Sequence, residues 1–294
     1  MHNSAVRQVG RSAAAAVARI PFLKPSLRPL TKAGLLPYSI WMRLPVTETF
    51  QVSAGGVRFR YASFTGDDLG RILYWRGPDA FEGETLPEFS RLAASARVVI
   101  DVGACTGFYT LLALACSRES RVIAFEPVPA NRDRVQLNLA ANGWQDRCVL
   151  RPECVSNACG QALLHVPYSP DGSVVSSSSL NPNGFHGMRG GLIETPCTTL
   201  DAAIPSDTPV DLIKIDVEGF EGPVIEGMQR ILSEHSPTII LECSDETQGV
   251  MAILRKFGYE IYHIRAAELV PVDELIPHNT FRNYVAKPKR AVSV

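Results

Sequence analysis

The sequence predicts an α/β fold in which repeated strand–helix units build a mostly parallel sheet. The first observation is the stretch 98–110, where a β-branched run ends in an acid and a glycine and an Ala/Leu-rich helix follows. The second is that the strand–helix order occurs five times. The third is that the last two predicted strands are joined without a long helix. Parallel neighbours need a helical crossover, whereas strands joined directly can be antiparallel, so we expect an antiparallel final pair.

Length and composition favour one main domain with extensions. The chain has 294 residues, of which 46% are hydrophobic and 20% charged, and these values exclude wholesale disorder. The net charge of −1 favours no particular partner. No stretch is long and apolar enough to cross a membrane. The seven cysteines are scattered and form no C-x-x-C pair, so reduced thiols in a cytoplasmic protein are a simpler interpretation than disulfides or a zinc site.

Positive charge is concentrated at the amino-terminal end. Residues 1–47 carry seven Lys and Arg side chains and no acid, whereas the remainder of the chain has a net charge of −8. A solvated helical extension or interface is one interpretation. The other is a segment for organelle targeting or for peripheral contact with an anionic membrane. We divide the chain into this basic Ala/Pro-containing extension (1–47), an accessory hairpin and helix (48–97) and the main domain (98–294).

Apolar periodicity and turn residues predict the elements in order. Alternation around Gly55-Gly56 predicts a hairpin at 50–63. Further strands are predicted at 98–102, 121–125, 148–150, 163–166, 210–215, 238–241, 259–264 and 281–286. Helices are predicted at 86–94, 109–115, 131–141, 224–232 and 250–257. The stretch 168–195 is rich in Gly, Ser, Asn and Pro, and a loop of that length predicts a substrate loop that orders on binding.

The turn at 103–107 is where a nucleotide-like ligand is expected. Glycine allows the backbone to approach a ligand closely, and the start of a helix presents unpaired N–H groups. Glu126 follows the second strand, 25 residues after Asp101, where a carboxylate can accept ribose hydroxyls. An exposed acid that caps the next helix is the alternative. Glu153 and Cys154 follow the third strand, where the adenine of such a ligand is expected.

Acids also follow two later strands. Asp216 and Glu218 come after the strand at 210–215, and Glu242 follows the strand at 238–241. We expect the three carboxylates to lie on the sheet edge that binds the cofactor, as a general base or as ligands of a divalent cation. The other interpretation is that some of them are helix N-terminal acids, which the helix dipole favours.

Four blocks of sequence stand in a recognisable order. They are DVGA at 101–104 with Gly107, AFEP at 124–127, TLD at 199–201 and IKIDVEG at 213–219. With Glu242 and Asn283, they resemble the FkbM family of S-adenosylmethionine-dependent methyltransferases over roughly 98–288. The resemblance implies the Rossmann-like sheet of class I methyltransferases, seven-stranded, with strand order 3-2-1-4-5-7-6 and an antiparallel strand 7.

The resemblance also implies S-adenosylmethionine as the cofactor. The first block would surround its methionine part, and Glu126 would hold its ribose. Cys105 stands where the family commonly has Asn, and a thiol is a weaker donor and acceptor than an amide. The expected cofactor-binding residues are Asp101, Gly103, Ala104, Cys105, Gly107, Glu126, Pro127, Glu153, Cys154 and Asp216.

The expected reaction is methyl transfer to a hydroxyl of a carbohydrate, glycolipid or secondary metabolite. Asp216, Glu218 and Glu242 are the candidate catalytic residues, and a divalent metal is an open variant. N-methylation and cofactor binding without catalysis remain alternatives. An NAD-dependent oxidoreductase is less favoured, because its glycine pattern would place glycine where this chain has Cys105 and Phe108. Nucleic acid is not expected as a partner of a domain with this acidic balance, and the oligomeric state stays open.

Overall fold

The computed structural model describes residues 23–167, 178, 180, 190–243, 248–265, 268–273 and 282–289. Two short helices come first, α1 (Leu23–Lys32) and α2 (Tyr38–Trp41). The predicted hairpin is confirmed, because β1 (Thr49–Ala54) and β2 (Val57–Ala62) pair antiparallel around the two glycines. The helices α3 (Asp68–Trp75) and α4 (Thr85–Ala93) then lead into the central sheet.

The first strand–helix units form as predicted, with bounds that differ from the expected ones by at most two residues. They are β3 (Val98–Val102), α5 (Phe108–Cys116), β4 (Arg121–Phe125), α6 (Pro129–Asn142) and β5 (Cys148–Arg151). Local sequence accounts for the bounds of α6. Proline occupies its first turn, and Gly143, with a φ of +70°, ends it in the left-handed conformation that glycine favours.

A small second sheet interrupts this pattern and was not predicted. It consists of β6 (Cys154–Val155), β7 (Gly160–Pro167) and β8 (Gly190–Thr198), in the order β6-β8-β7. The loop predicted at 168–195 is therefore too long, because residues 190–195 belong to β8 and pair antiparallel with β7. The strand β8 begins with Gly190-Gly191, which suggested a loop, but pairing with the distant strand β7 makes these residues extended. The predicted substrate loop otherwise lies outside the described residues, except for Ser178 and Leu180.

The second half of the sheet follows. Its elements are α7 (Leu200–Ala203), β9 (Leu212–Ile215), α8 (Glu221–Glu226), α9 (Gln229–Glu234), β10 (Thr238–Cys243), α10 (Gln248–Lys256), β11 (Tyr259–Arg265), β12 (Glu268–Pro271) and β13 (Arg282–Pro288). The single helix predicted at 224–232 is wrong. Asp201 accepts hydrogen bonds from the backbone N–H groups of Arg230 and Ile231 and so begins a new helix, α9.

The main sheet has eight strands in the order β12-β11-β13-β10-β9-β3-β4-β5. The expected antiparallel end is confirmed, since β13 runs antiparallel to both β10 and β11, while β9, β3, β4 and β5 form parallel pairs. The predicted count of seven is wrong, because β12 adds an edge strand to β11. Its four residues carry too little pattern to be distinguished from a connection.

Both faces of the sheet are covered, which explains the continuous apolar runs of its strands. One buried cluster contains Val99 of β3 and Ile240 of β10, which pack with side chains of the hairpin, α4, α5 and α6. The other takes Ile100 of β3 and Ile239 of β10 together with side chains of α8, α9 and α10. Neighbouring residues of a strand thus face opposite layers, as the two-residue period requires. No helix in the described ranges has the length and apolarity of a membrane span.

Candidate active site

The turn after β3 is fixed by a close backbone approach. Gly103 has a φ of +84°, and a Cβ atom there would lie 1.9 Å from the carbonyl oxygen of Asp216. Only glycine fits this position. The N–H groups of Gly103 and Ala104 both donate to the carbonyl oxygen of Phe125, each at 3.0 Å. The carboxyl ends of β3, β4 and β9 are thereby held together around the turn.

Cys105 occupies the next unusual position of the turn. Its φ of +51° is in the left-handed region, which residues with a side chain seldom adopt. Its backbone N–H donates to Oε2 of Glu126 at 2.8 Å. Burial raises the pKa of its thiol well above the usual value, so the thiol is neutral. The backbone of Cys105, rather than its sulfur, makes the polar contact recorded here.

Glu126 is buried at the end of β4, with 4% of its surface exposed. Besides Cys105, its carboxylate accepts hydrogen bonds from the N–H of Val128 (2.9 Å) and Nδ2 of Asn131 (3.3 Å), both to Oε1. Burial raises its pKa to about 7 against these three donors. A carboxylate offers about four acceptor directions, so one remains on Oε2.

A pocket of about 540 Å³ opens beside this carboxylate. Its lining includes eight of the residues singled out in the sequence: Gly103, Cys105, Glu126, Pro127, Glu153, Cys154, Asp216 and Glu218. The structure therefore brings residues from the ends of β3, β4, β5 and β9 to one cavity. Residues that were not among the expected site residues form most of the remaining wall, although Phe125 and Val217 lie in the quoted sequence blocks and Val155 follows Cys154: Phe125, Asn131, Val155, Leu164, Ser178, Leu180, Val217 and Phe220.

The remaining predicted cofactor residues lie behind the turn. Ala104 packs in the core, and Gly107 begins α5 with a φ of +87°. Asp101 is buried in β3, where its Oδ2 accepts a hydrogen bond of 2.6 Å from the hydroxyl of Thr110. Burial raises the pKa of Asp101 to about 6. Asp101 is also the direct ladder partner of Lys214 in β9, which links the turn to the adjoining edge of the sheet.

Lys214 is the centre of a polar group that we call the edge cluster: Lys214, Asp216, Glu242, Asn283, Tyr109 and Glu82. Its side chain is fully buried, and its Nζ lies 3.3 Å from Oδ2 of Asp216 and 3.5 Å from Oδ1 of Asn283. The ammonium also lies 5.0 Å from the ring centre of Tyr109. Burial lowers the pKa of Lys214, but four surrounding carboxylates, Asp216 foremost, raise it by more, so the ammonium stays charged.

Glu242 and Asn283 lie directly opposite each other in the ladder between β10 and β13. Glu242 is partly buried within β10, not after the strand as expected. Burial raises its pKa well above the usual range, and the neighbouring Asp216 raises it further. Burial and the neighbouring carboxylate thus favour the protonated form of Glu242.

Glu82 is the member of the edge cluster that the sequence did not reveal. It lies in the connection between α3 and α4, and its Oε2 accepts hydrogen bonds from the Tyr109 hydroxyl (2.7 Å) and from Nδ2 of Asn283 (2.9 Å). No motif surrounds it, and its partners are 27 and 201 residues away. The place of Glu82 in the edge cluster is therefore evident only from the tertiary structure.

Two further acids of the same loop have different surroundings. Glu218 has a φ of +53° and lines the pocket. Glu221 is fully buried at the start of α8, where its Oε1 accepts a hydrogen bond of 3.0 Å from the N–H of Gly219. Burial raises the pKa of Glu221 to about 7. Glu221 thus stabilises the loop that carries Asp216 and Glu218. Within the described ranges, no group of three or more His, Cys, Asp and Glu side chains is arranged to hold a metal ion.

Comparison with known proteins accounts for this arrangement. The sequence model described as "Methyltransferase FkbM domain" matches residues 101–261, more than half of the chain. The chain belongs to the FkbM methyltransferase family. Members of this family are S-adenosylmethionine-dependent methyltransferases. The edge cluster includes two residues outside the matched range, Glu82 and Asn283.

Individual relatives of this FkbM protein are distant. The methyltransferase sdnD of Sordaria araneosa is 24% identical over 196 residues, which cover 57% of this chain and 75% of the relative. A crystal structure of methyltransferase FkbM from Methylobacillus flagellatus is 15% identical with a TM-score of 0.44, and the match covers 65% of this chain and 43% of that one. A SAM-dependent O-methyltransferase from Thermotoga maritima has 16% identity and a TM-score of 0.36, over 70% and 67% of the two chains. Likenesses of this size say nothing about the substrate of this chain.

Proposed function

We propose that this protein is an O-methyltransferase that transfers a methyl group from S-adenosylmethionine to a hydroxyl of a carbohydrate, glycolipid or secondary metabolite. One observation carries the proposal. Asp216 both lines the pocket beside Glu126 and contacts Lys214 in the edge cluster. A carboxylate that belongs to both places can receive a proton next to a bound cofactor.

The residues of the pocket fit the cofactor. The free acceptor direction on Glu126 Oε2 suits a ribose hydroxyl, and Phe125, Val155 and Leu164 offer apolar walls for an adenine. Glu153 and Cys154 also line this pocket, and Gly103 and Cys105 line it at the turn after β3. The topology supports the assignment when β5, β4, β3, β9, β10, β13 and β11 are taken as strands 3-2-1-4-5-7-6 and β12 as an addition.

The division of the chain is also part of the proposal. Residues 98–294 would form the methyltransferase domain, and 48–97 would pack on it through the hairpin and α4. The basic stretch 1–47 would be an extension, with an anionic membrane surface as its possible contact. The compartment follows from none of these features.

The bound cofactor supplies an electrophilic methyl group on a sulfonium. The protein has to hold an acceptor oxygen in line with that methyl group, exclude water and accept the hydroxyl proton. Asp216 would accept the proton that the acceptor hydroxyl loses on methylation. The raised pKa of Glu242 favours its protonated form, which would donate a hydrogen bond, so we assign the role of base to Asp216. Lys214 holds the carboxylate of Asp216 in place through the contact of 3.3 Å.

Ligand-induced stabilisation tests the cofactor. We expect S-adenosylmethionine and S-adenosylhomocysteine to raise the melting temperature and NAD to leave it unchanged, because a ligand stabilises the state that binds it. Equal or greater stabilisation by NAD would refute the methyltransferase assignment. Glu126→Ala should weaken binding of S-adenosylhomocysteine by ~1–3 kcal/mol in calorimetry, the value of lost hydrogen bonds to a carboxylate. Glu119→Ala, which removes an exposed carboxylate, is the matched control.

Labelled-methyl transfer tests the acceptor. A panel of glycans, lipids and small hydroxylated metabolites should show transfer to hydroxyl oxygen, and a set of amines of similar size should show none. Transfer to the amines alone would replace the O-methyltransferase proposal by the N-methyltransferase alternative. The same panel with Asp216→Asn should show loss of transfer while S-adenosylhomocysteine still binds.

A further inference from the structure

Glu82 is held at the edge cluster in a way that leaves half of its carboxylate available. Its backbone has a φ of +46°, an uncommon conformation for a residue with a side chain. Both donors that hold it, the hydroxyl of Tyr109 and Nδ2 of Asn283, bind the same oxygen, Oε2. Its other oxygen, Oε1, accepts no hydrogen bond from any side chain or backbone group in the described part of the chain. Because Glu82 is only partly buried, its carboxylate can be approached by a ligand, and within the described part of the chain Oε1 remains available to it.

Short contacts connect the Glu82 carboxylate, through its Oε2, to the carboxylate of Asp216. The series runs from Asp216 to Lys214 (3.3 Å), from Lys214 to Asn283 (3.5 Å) and from Asn283 to Glu82 (2.9 Å). Lys214 is the one fully buried member of this series, whereas Asp216, Asn283 and Glu82 are each partly exposed. The buried ammonium contacts Asp216 directly and is linked to Glu82 through Asn283, and it is itself out of reach of an acceptor.

The exposed carboxylates at this edge of the sheet favour ligands that donate hydrogen bonds. The carboxylates of Glu82 and Asp216 present acceptor oxygens, and the Lys214 cation that would attract an anion is fully buried. A phosphate or carboxylate on the acceptor would meet like charge here. A neutral molecule with two hydroxyls would place one against Asp216 and the second against Glu82.

We propose that Glu82 is a specificity-determining residue that binds a second hydroxyl of the methyl acceptor, next to the hydroxyl that is methylated. This inference rests on the proposed O-methyl transfer at Asp216. It adds a residue from the connection between α3 and α4, outside the range 101–261 that the family shares. Tyr109 and Asn283 act as its positioning residues, since both donate hydrogen bonds to Oε2.

The test compares wild type and one enzyme variant on methyl acceptors with and without the second hydroxyl. Wild type and Glu82→Gln are assayed for labelled-methyl transfer to methyl glycosides and to the singly deoxygenated analogue of each. For the complete glycoside we expect Glu82→Gln to lower kcat/KM roughly 10- to 100-fold, mainly through KM, the factor for a lost hydrogen bond to a charged group. For the analogue without the second hydroxyl, the two enzymes should have equal kcat/KM. Glu84→Gln, an exposed neighbour, should match wild type on both.

The outcomes separate this inference from the proposed function. If Glu82→Gln loses the same factor on every glycoside and analogue, Glu82 has only a structural role and the inference is wrong. If wild type prefers anionic acceptors or transfers to no glycoside while binding S-adenosylhomocysteine, the two-hydroxyl acceptor is wrong. If wild type does not bind S-adenosylhomocysteine, the proposed function itself fails. Binding of S-adenosylhomocysteine by Glu82→Gln also establishes that the variant is folded.

Discussion

Lys214 places its ammonium 3.3 Å from the carboxylate of Asp216, and no part of the Lys214 side chain reaches solvent. The lysine is therefore an ion-pair partner within the sheet and not a substrate ligand. Desolvating an ammonium is costly unless opposite charges surround it. The carboxylates around Lys214 supply that compensation, and the pair fixes the orientation of the residue that we expect to accept the proton.

Removing this ammonium should destabilise the protein. We expect Lys214→Met to lower the free energy of unfolding by about 3 kcal/mol, because Asp216 and its neighbours lose their buried counter-charge. Urea denaturation followed by circular dichroism measures the change. Lys287→Met is the control, since it breaks a partly exposed ion pair of 3.0 Å with Glu88 and should change the free energy by less than about 1 kcal/mol. Similar losses in the two variants would contradict a special role of the buried pair.

The hairpin should control the cofactor turn through one buried hydroxyl. Tyr61 in β2 donates to Oγ1 of Thr106 at 2.8 Å, and both residues are buried. Tyr61→Phe should lower the free energy of unfolding by about 1–2 kcal/mol and weaken binding of S-adenosylhomocysteine, because the turn loses its contact with the hairpin. Tyr262→Phe removes an exposed hydroxyl that donates to Glu260 and should have little effect. Unchanged affinity in Tyr61→Phe would show that the turn is positioned without the hairpin.

The backbone conformation of Cys105 predicts which substitutions the turn accepts. Its φ of +51° is tolerated by Asn and strongly disfavoured for a β-branched residue. Cys105→Val should therefore lower the free energy of unfolding by about 1–2 kcal/mol, whereas Cys105→Asn should preserve stability and cofactor affinity. Thermal unfolding with and without S-adenosylhomocysteine measures both effects. Equal behaviour of the Val and Asn variants would mean that the turn relaxes to another conformation.

Stability should fall as the pH rises towards neutrality, in part because of Glu221. Burial raises its pKa from 4.5 to about 7, so between these values the folded state binds a proton that the unfolded state has released. The stabilisation is complete below pH 4.5 and is lost as the pH rises through 7, with a total of roughly 3 kcal/mol for this group. Glu221→Gln should remove this part of the slope in urea unfolding between pH 4.5 and 7.5. Glu119→Gln should keep the wild-type dependence of the free energy of unfolding on pH. If Glu221→Gln also kept the wild-type slope, the assignment to Glu221 would be refuted.

Local patterns determined the elements near the pocket but not those that depend on distant partners. The strand at 98–102, its glycine turn and the helix after it follow from β-branched residues, glycine and Ala/Leu periodicity, and all of them form as predicted. The break between α8 and α9 depends on the carboxylate of Asp201, about thirty residues away. The strand β8 depends on pairing with β7 across a long connection. Interactions of this kind leave no periodic signal in the segment that they shape.

The sequence by itself determined the family of this chain through a glycine turn, Glu126 after β4, and acids at the ends of β9 and β10. Those features are local, since strand ends and turns are encoded by neighbouring residues. Only the tertiary structure decided which acids are buried and which partners they contact. It buried Glu221 beneath the loop, placed Glu242 opposite Asn283, paired Asp216 with Lys214 and added Glu82 from outside the family range. Burial raises the pKa of Glu221 and of Glu242, and burial depends on the folded packing of segments far apart in the chain.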